Sequence, residues 1–380
     1  MWSRITETRI PRHMRGGATI LKTKFTKLAN IRYPIIQAGM AGGITTPELV
    51  AAVSNAGGLG TVGAGYMNRD QLRGVIRAVK RLTDRPFGVN LFAPQEVTFV
   101  VEDVQRMNHY LDDVRESLGI EPSPQIEKYA ESFDDQIQVV LEEHVPVFSF
   151  TFGIPSSAVL KELKYQETIV IGTATTVKEA MELDEVGVDA VVVQGSEAGG
   201  HRGTFRTDAS HALIGTMSLV PQVVDHVSIP VIASGGIMDG RGIIASLALG
   251  ASAVQMGTAF IACPESGAHK LYKEKVLESH EDSTEITSAY SGKLARGIHT
   301  KFMQGMRSYP GEMPSYPVQN ALTRDIRLAA AKRGDPEYMS LWAGQGLRMA
   351  TNRQADAIIQ ECVQQALNAL GNIGSSGKEI

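Results

Sequence analysis

Eight short, β-rich apolar segments recur between residues 34 and 256, at 34–38, 59–62, 87–92, 145–150, 168–171, 190–194, 230–234 and 253–256. Each ends in glycine, proline or a polar turn, and most lead into a helical pattern, at 46–55, 69–82, 126–143, 156–164, 177–186, 219–225 and 241–249. Several are apolar at consecutive positions, as in Val191-Val192-Val193 and Val231-Ile232-Ala233. A strand reads this way when helices cover both faces of a parallel sheet. Eight strand and helix units close into an α/β fold, the (β/α)8 TIM barrel. An open dinucleotide-binding sheet fits less well. The first strand-to-helix turn, 37–43, lacks the spacing of a dinucleotide fingerprint, and no acid ends the second strand where a ribose would be held.

At 380 residues the chain exceeds a plain barrel of about 250. Its division is expected to be a basic, flexible extension over 1–32, a barrel over 33–264 and a helical C-terminal region over 265–380. A charged insertion at 93–123 is expected to join that last region as a small helical lid, with helical patterns at 268–280, 321–333 and 356–370. The extension carries eight Lys/Arg against Glu7 alone, yet Pro11 and the Gly16-Gly17 pair spoil an amphipathic targeting helix. Met14 offers a later start, so an upstream-start or disordered extension is preferred over a targeting segment.

The formal net charge of −4 gives no electrostatic ground for nucleic acid or an anionic membrane as partner. No apolar run approaches the roughly 18 residues a membrane helix needs. Cys263 and Cys362 stand far apart and form no metal-spaced pair, which argues for a reducing, cytoplasmic setting and against a disulfide framework. No metal site is expected.

In barrels of this kind chemistry gathers at the C-terminal strand ends. Here those ends carry few charges and many amides and glycines: Asn90, Gln194, then Gly199, Gly235 and Gly236, and Gln255, Met256, Gly257 and Thr258. The paired turns after strands seven and eight are suited to a phosphate, because glycine lets backbone N–H groups approach it and Thr258 adds a hydroxyl. That phosphate can belong to a substrate or to flavin mononucleotide. Neutral amides at Asn90 and Gln194 favour the flavin. His201 closes a glycine-rich turn after strand six and is the candidate general base. Glu197 is read as a cap of that turn rather than a partner of His201. Lys293 and Arg296 suit a substrate carboxylate and equally suit surface ion pairs.

Seven motifs carry a specific likeness: IIQAGMA at 35–41, SNAGGLG at 54–60, FGVN at 87–90, QGSEAGGH at 194–201, SGGI at 234–237, QMGT at 255–258 and SGKLARG at 291–297. In this order the chain resembles the nitronate monooxygenase family, formerly called 2-nitropropane dioxygenases, from about residue 33 to about 350. The resemblance implies an FMN-dependent barrel that oxidises alkyl nitronates such as propionate 3-nitronate with O2 to a carbonyl product and nitrite. It implies flavin contacts at Asn90, Gln194, Gly199, Gly235 or Gly236 and 255–258, and a catalytic histidine at His201. The family more often has Arg where Lys293 stands, which keeps the charge. The implied partners are a small nitronate and O2, with a homo-oligomer allowed. The alternatives are an FMN-dependent enoyl-acyl-carrier-protein reductase, which shares the barrel and the histidine turn, and a non-catalytic flavin-binding barrel.

Overall fold

The computed structural model describes residues 21–95, 98–206 and 208–376, the last three by backbone alone. Eight parallel strands make the barrel: β1 (Ile35–Gln37), β2 (Gly60–Gly63), β3 (Phe87–Phe92), β4 (Val147–Thr151), β5 (Ile169–Ala174), β6 (Ala190–Gln194), β8 (Val231–Ser234) and β9 (Ala253–Met256). The two-residue β7 (Gly200–His201) lies outside that sheet. The ring closes between β1 and β2, where Leu59 N–H donates to Ile35 O and Gln37 N–H donates to Leu59 O, both at 2.9 Å.

Alternation along each strand decides its two faces. Val191, Val193, Val231 and Ala233 join the shell between sheet and helices. Ala190, Val192 and Ile232 form an inner cluster with Ile36, Leu59 and Val147. Phe25 and Ala29 plug that inner cluster from α1 (Lys24–Leu28), a helix closed at its start by a Thr23 and Thr26 capping box. The flexible extension expected over 1–32 is thereby corrected for 21–32, where fully buried Phe25 contributes about 1.5–3 kcal/mol. Residues 1–20 lie outside the described residues. The error arose because a charge-rich segment hid one aromatic anchor.

The barrel helices follow local signals. In α3 (Arg69–Leu82) Asn68 and Gln71 form a capping box, and Leu72, Ile76 and Val79 are buried along one face. The helix expected over 126–143 starts later, as α6 (Phe133–Glu142), because Ser132 accepts from Asp135 N–H and sets the start there. The remaining wall helices between strands are α2 (Pro47–Asn55), α7 (Ser157–Tyr165), α8 (Val177–Glu185), α9 (Thr216–Val224) and α10 (Gly240–Ala248).

The eighth wall position is filled from the far end of the chain. Helix α15 (Ala355–Ser376) packs on α10 and α2, and Ala355, Ile359, Cys362 and Ala366 join the barrel core. A Cβ on Gly240 would come within 2.2 Å of Ala366 N, so only glycine lets these backbones approach so closely. The segment 356–370, expected in the lid, is thus the last helix of the barrel. What covers the strand ends is the chain between β9 and α15, with α11 (Lys270–Glu278), β10 (Thr284–Thr287), β11 (Ala295–Ile298), α12 (Lys301–Met306), α13 (Val318–Leu322) and α14 (Arg324–Arg333). That cover is not purely helical, since β10, β11 and β7 pair into an antiparallel sheet. The insertion contributes α4 (Val101–Tyr110) and α5 (Asp112–Ser117), whose Met107, Leu111 and Leu118 pack against Phe302, Val318 and Ile326. Arg115 pins them there: fully buried, it donates to Asp325 Oδ2 at 2.8 Å, Leu322 O at 2.9 Å and Asp112 Oδ1 at 3.0 Å.

Candidate active site

A cavity of about 180 Å3 sits over the C-terminal strand ends, under the cover. Asn90, Gln194, Gly199, His201, Gly235 and Gly236 line it, as do Gln255, Met256, Gly257 and Thr258. Strand register brings these together: Gln194 stands beside Ser234, and Ser234 beside Gln255, on three adjacent strands. Lys293 and Arg296 are not among the lining residues.

One end of the cavity is backbone. Gly235 and Gly236 have φ values of 118° and 71°, a region that side chains disfavour, and a Cβ on Gly235 would stand 2.8 Å from Thr216 Oγ1. Thr258 opens a 3-10 turn, Thr258–Phe260, and its hydroxyl accepts from Gly344 N–H at 2.9 Å, which leaves its own proton to give. These turns offer N–H and O–H donors of the kind that hold a phosphate. Glu197 makes no contact with His201; both its oxygens accept from Thr216 N–H at 2.9 Å, capping α9, whose own N-cap Gly215 has no side chain. It caps a helix.

The other end is made of side chains. Asn90 Nδ2 donates to Ser149 Oγ at 2.9 Å. Gln194 clamps the histidine turn: Nε2 donates to His201 O at 2.9 Å, and Oε1 accepts from Gly203 N–H at 2.8 Å. One amide N–H and one lone pair of Oε1 therefore remain for a ligand. Arg202 holds the same turn from behind, donating to Gly195 O at 2.6 Å, Gln194 O at 2.8 Å and Ala212 O at 3.0 Å. Burial pushes its pKa down to about 10, so it stays charged at neutral pH. Sequence reasoning passed over this residue although it adjoins His201.

His201 lies on β7, with Ala295 and Arg296 of β11 opposite His201 and Gly200. Its Nε2 is 2.8 Å from Ser291 Oγ, and Ser291 Oγ in turn donates to Lys293 O at 3.1 Å. Rings of Phe152, Tyr316 and Trp342 surround the imidazole at centroid distances of 5.8, 5.9 and 5.3 Å. Burial, then the Lys293 and Arg327 cations, push its pKa down to about 3, so the ring is a neutral base at physiological pH. Lys293 Nζ donates to Thr204 O at 2.9 Å and rides 4.9 Å above the Phe152 ring, and burial lowers its pKa. Arg296 donates from Nε to Ser196 O at 2.9 Å and from Nη1 to Thr284 Oγ1 at 3.3 Å. Both basic residues hold loop oxygens, and among the described residues neither forms the ion pair that was the alternative to a substrate contact. The site residues missing from the sequence reading are the aromatic ones, Tyr66, Phe92, Phe152, Tyr316 and Trp342. The sequence signal was that Phe92 ends β3 and that Tyr66 and Phe152 follow β2 and β4.

The fold is a closed parallel barrel with a neutral, buried histidine and a glycine-lined donor cradle on one cavity at its strand ends. The family model for nitronate monooxygenase matches residues 22–365. Probable nitronate monooxygenases of Staphylococcus saprophyticus and Staphylococcus haemolyticus are each 50% identical to this chain, over 91% of its length and 98% of theirs. Among solved structures, nitroalkane oxidase from Streptomyces ansochromogenes superposes with a TM-score of 0.86 at 39% identity, covering 92% of this chain and 99% of that one. FabK from Thermotoga maritima superposes with a TM-score of 0.74 at 34% identity, covering 93% and 99%. The chain belongs to the nitronate monooxygenase family and is an oxidoreductase. Among the described residues no helix is long and apolar enough to cross a membrane, and no group of three or more His, Cys, Asp or Glu is placed to hold a metal ion.

Proposed function

We propose that this enzyme binds FMN and oxidises small alkyl nitronates, propionate 3-nitronate among them, with O2 to a carbonyl compound and nitrite. The observation that carries the reading is a neutral imidazole with two cations nearby and no carboxylate partner, at one end of a cavity whose other end is a glycine cradle. The donor set fits the cofactor. Gly235, Gly236 and the Thr258 turn would hold its single phosphate, and the free amide protons of Asn90 and Gln194 would meet the ring edge. FMN, when bound, supplies the two-electron acceptor and the site of reaction with O2.

The chain's own residues supply the rest. His201 takes the α-carbon proton of a neutral nitroalkane, which leaves the nitronate anion, and the cations Lys293 and Arg327 favour that anion. Phe152, Tyr316 and Trp342 keep bulk water from the exposed carbanion. A nitronate arrives already deprotonated and bypasses the first step. Cys263 and Cys362, both buried and unpaired, support a reducing, cytoplasmic setting.

Nitrite release in air from propionate 3-nitronate tests the activity directly. His201→Asn is expected to cut turnover of a neutral nitroalkane by about 10² to 10⁴, the usual worth of a positioned base, and to spare the preformed nitronate. Equal losses on both substrates would remove His201 from proton transfer. Flavin bleaching by NADH under anaerobic conditions, without bleaching by a nitronate, would point instead to the enoyl-acyl-carrier-protein reductase. Bleaching by neither would point to a non-catalytic flavin-binding barrel.

A further inference from the structure

We propose that Tyr66, backed by Tyr316 and Arg327, forms the end of the cavity that holds an anionic group of the substrate. The inference rests on the reading of this cavity as a nitronate site and says where the anion sits. Tyr66 lines the cavity, its ring 5.3 Å from that of Phe92, which in turn stands 6.2 Å from the Tyr316 ring. Tyr316 spans the gap to the base, with its ring 5.4 Å from Phe152 and 5.9 Å from His201. Two phenol oxygens and a base thus share one aromatic wall. A phenol is a good donor to an anion, and its ring excludes the water that would compete.

The positive charge behind them comes from α14. Arg327 donates from Nη2 to Asn320 O at 2.7 Å and Oδ1 at 3.0 Å, and from Nε to Thr323 O at 3.2 Å. Its Nη1 makes no hydrogen bond among the described residues, and no carboxylate there lies within ion-pair distance of it. Asp325, the acid nearest in sequence, is engaged by Arg115 Nε at 2.8 Å. Burial disfavours the Arg327 charge and raises both phenol pKa values, while the Arg327 field pulls the phenols back toward ionisation. Arg327 is only partly buried, and its unpaired Nη1 carries a positive field that favours an anion nearby. Among the described residues the one acid lining the cavity, Glu197, is fixed on Thr216 at the cradle end. The field at the Tyr66 end is therefore positive, and the anion it suits is a carboxylate or the nitronate oxygens themselves.

The test uses the FMN-loaded enzyme and the variants Tyr66→Phe and Arg327→Met, with Arg327→Lys as a charge-preserving control. Steady-state KM is measured for propionate 3-nitronate and for uncharged-tail propyl 1-nitronate, and propionate binding is measured by calorimetry. Loss of a hydrogen bond to a charged group is expected to weaken binding by about tenfold to a hundredfold. A rise in KM confined to propionate 3-nitronate, with weaker propionate binding in Tyr66→Phe, identifies the anion as the carboxylate. Equal rises on both nitronates, with propionate unaffected, identify it as the nitronate oxygens. Either result supports the site. Unchanged KM and unchanged propionate binding in Tyr66→Phe, a variant that removes one oxygen and keeps the ring, overturn it. Should the wild type release no nitrite yet lose propionate affinity on Tyr66→Phe, the anion end stands and the nitronate reading falls.

Discussion

The two walls of the cavity are made of different materials. At its cradle end the barrel wall presents backbone, Gly235, Gly236 and Gly257 beside the Thr258 hydroxyl, and around it the amides of Asn90, Gln194 and Gln255. The covering wall presents Trp342, with Tyr316 and Ser291 packed on His201 and the Arg327 charge near it. The first is built by turns that each join one strand to the next helix, and it has the rigidity of the sheet. The second is assembled from parts far apart in sequence, such as His201 with Ser291 and Arg115 with Asp325. The division suggests that cofactor affinity resides in the barrel, whereas substrate choice and shelter reside in the cover, a layer that can vary without disturbing the sheet.

Substituting the barrel wall is expected to have the largest effect. Gly235→Val places a β-branched side chain at a φ of 118° and within 2.8 Å of Thr216 Oγ1, where the cradle has no room. Purified variant should carry essentially no FMN, read from its flavin absorbance, while its far-UV circular dichroism stays that of the wild type. Full flavin content would place the phosphate at another turn.

Arg115→Ala strikes the cover. Removing a buried guanidinium that joins Asp112, Asp325 and Leu322 O is expected to cost about 3–5 kcal/mol, visible as a lower thermal midpoint. At temperatures where the variant is folded it should keep its FMN and bind substrate less well. Flavin loss in step with the stability loss would break the division between the two walls.

The smallest expected effect is a flat pH profile. With its pKa near 3, His201 is already unprotonated across pH 5–8, so it contributes no acidic limb to nitroalkane turnover in that range. An unfolded histidine titrates at about 6.5. Below that pH the unfolded chain takes up a proton that the native site refuses, so stability falls as pH drops from about 6.5 toward 3. Wild type should lose stability on acidification faster than His201→Asn. An acidic limb near pH 6.5 in nitroalkane turnover would mean that the imidazole is wetter than its surroundings imply.

Much of the barrel wall was legible before folding. Strands with consecutive buried positions announce themselves as apolar runs, and the turns that follow must be glycine-rich if backbone is to approach a ligand, so His201, Gly235, Gly236 and Thr258 could be read from local sequence. The cover was not legible in the same way. Tyr316 and Trp342 carry no periodic or motif signal that distinguishes a cavity wall from an ordinary core. Lys293 and Arg296 could be read as substrate contacts or as surface ion pairs, but not as the donors that hold the Thr204 and Ser196 carbonyls. Phe25 was hidden in a basic leader, and α15 in a tail that seemed to belong with the lid.

The sequence by itself determined the number of strands, the residues at their C-terminal ends and the family, because these depend on patterns within a few residues of one another. Tertiary structure alone decided that the final helix completes the barrel, that α9 is the helix Glu197 caps, and that the base is neutral and ringed by aromatic side chains. Those outcomes depend on which residues meet from distant parts of the chain, as Gly240 meets Gln365 and His201 meets Ser291, and on how much water their meeting excludes. A local pattern encodes which face of an element is apolar; it does not encode what that face will touch.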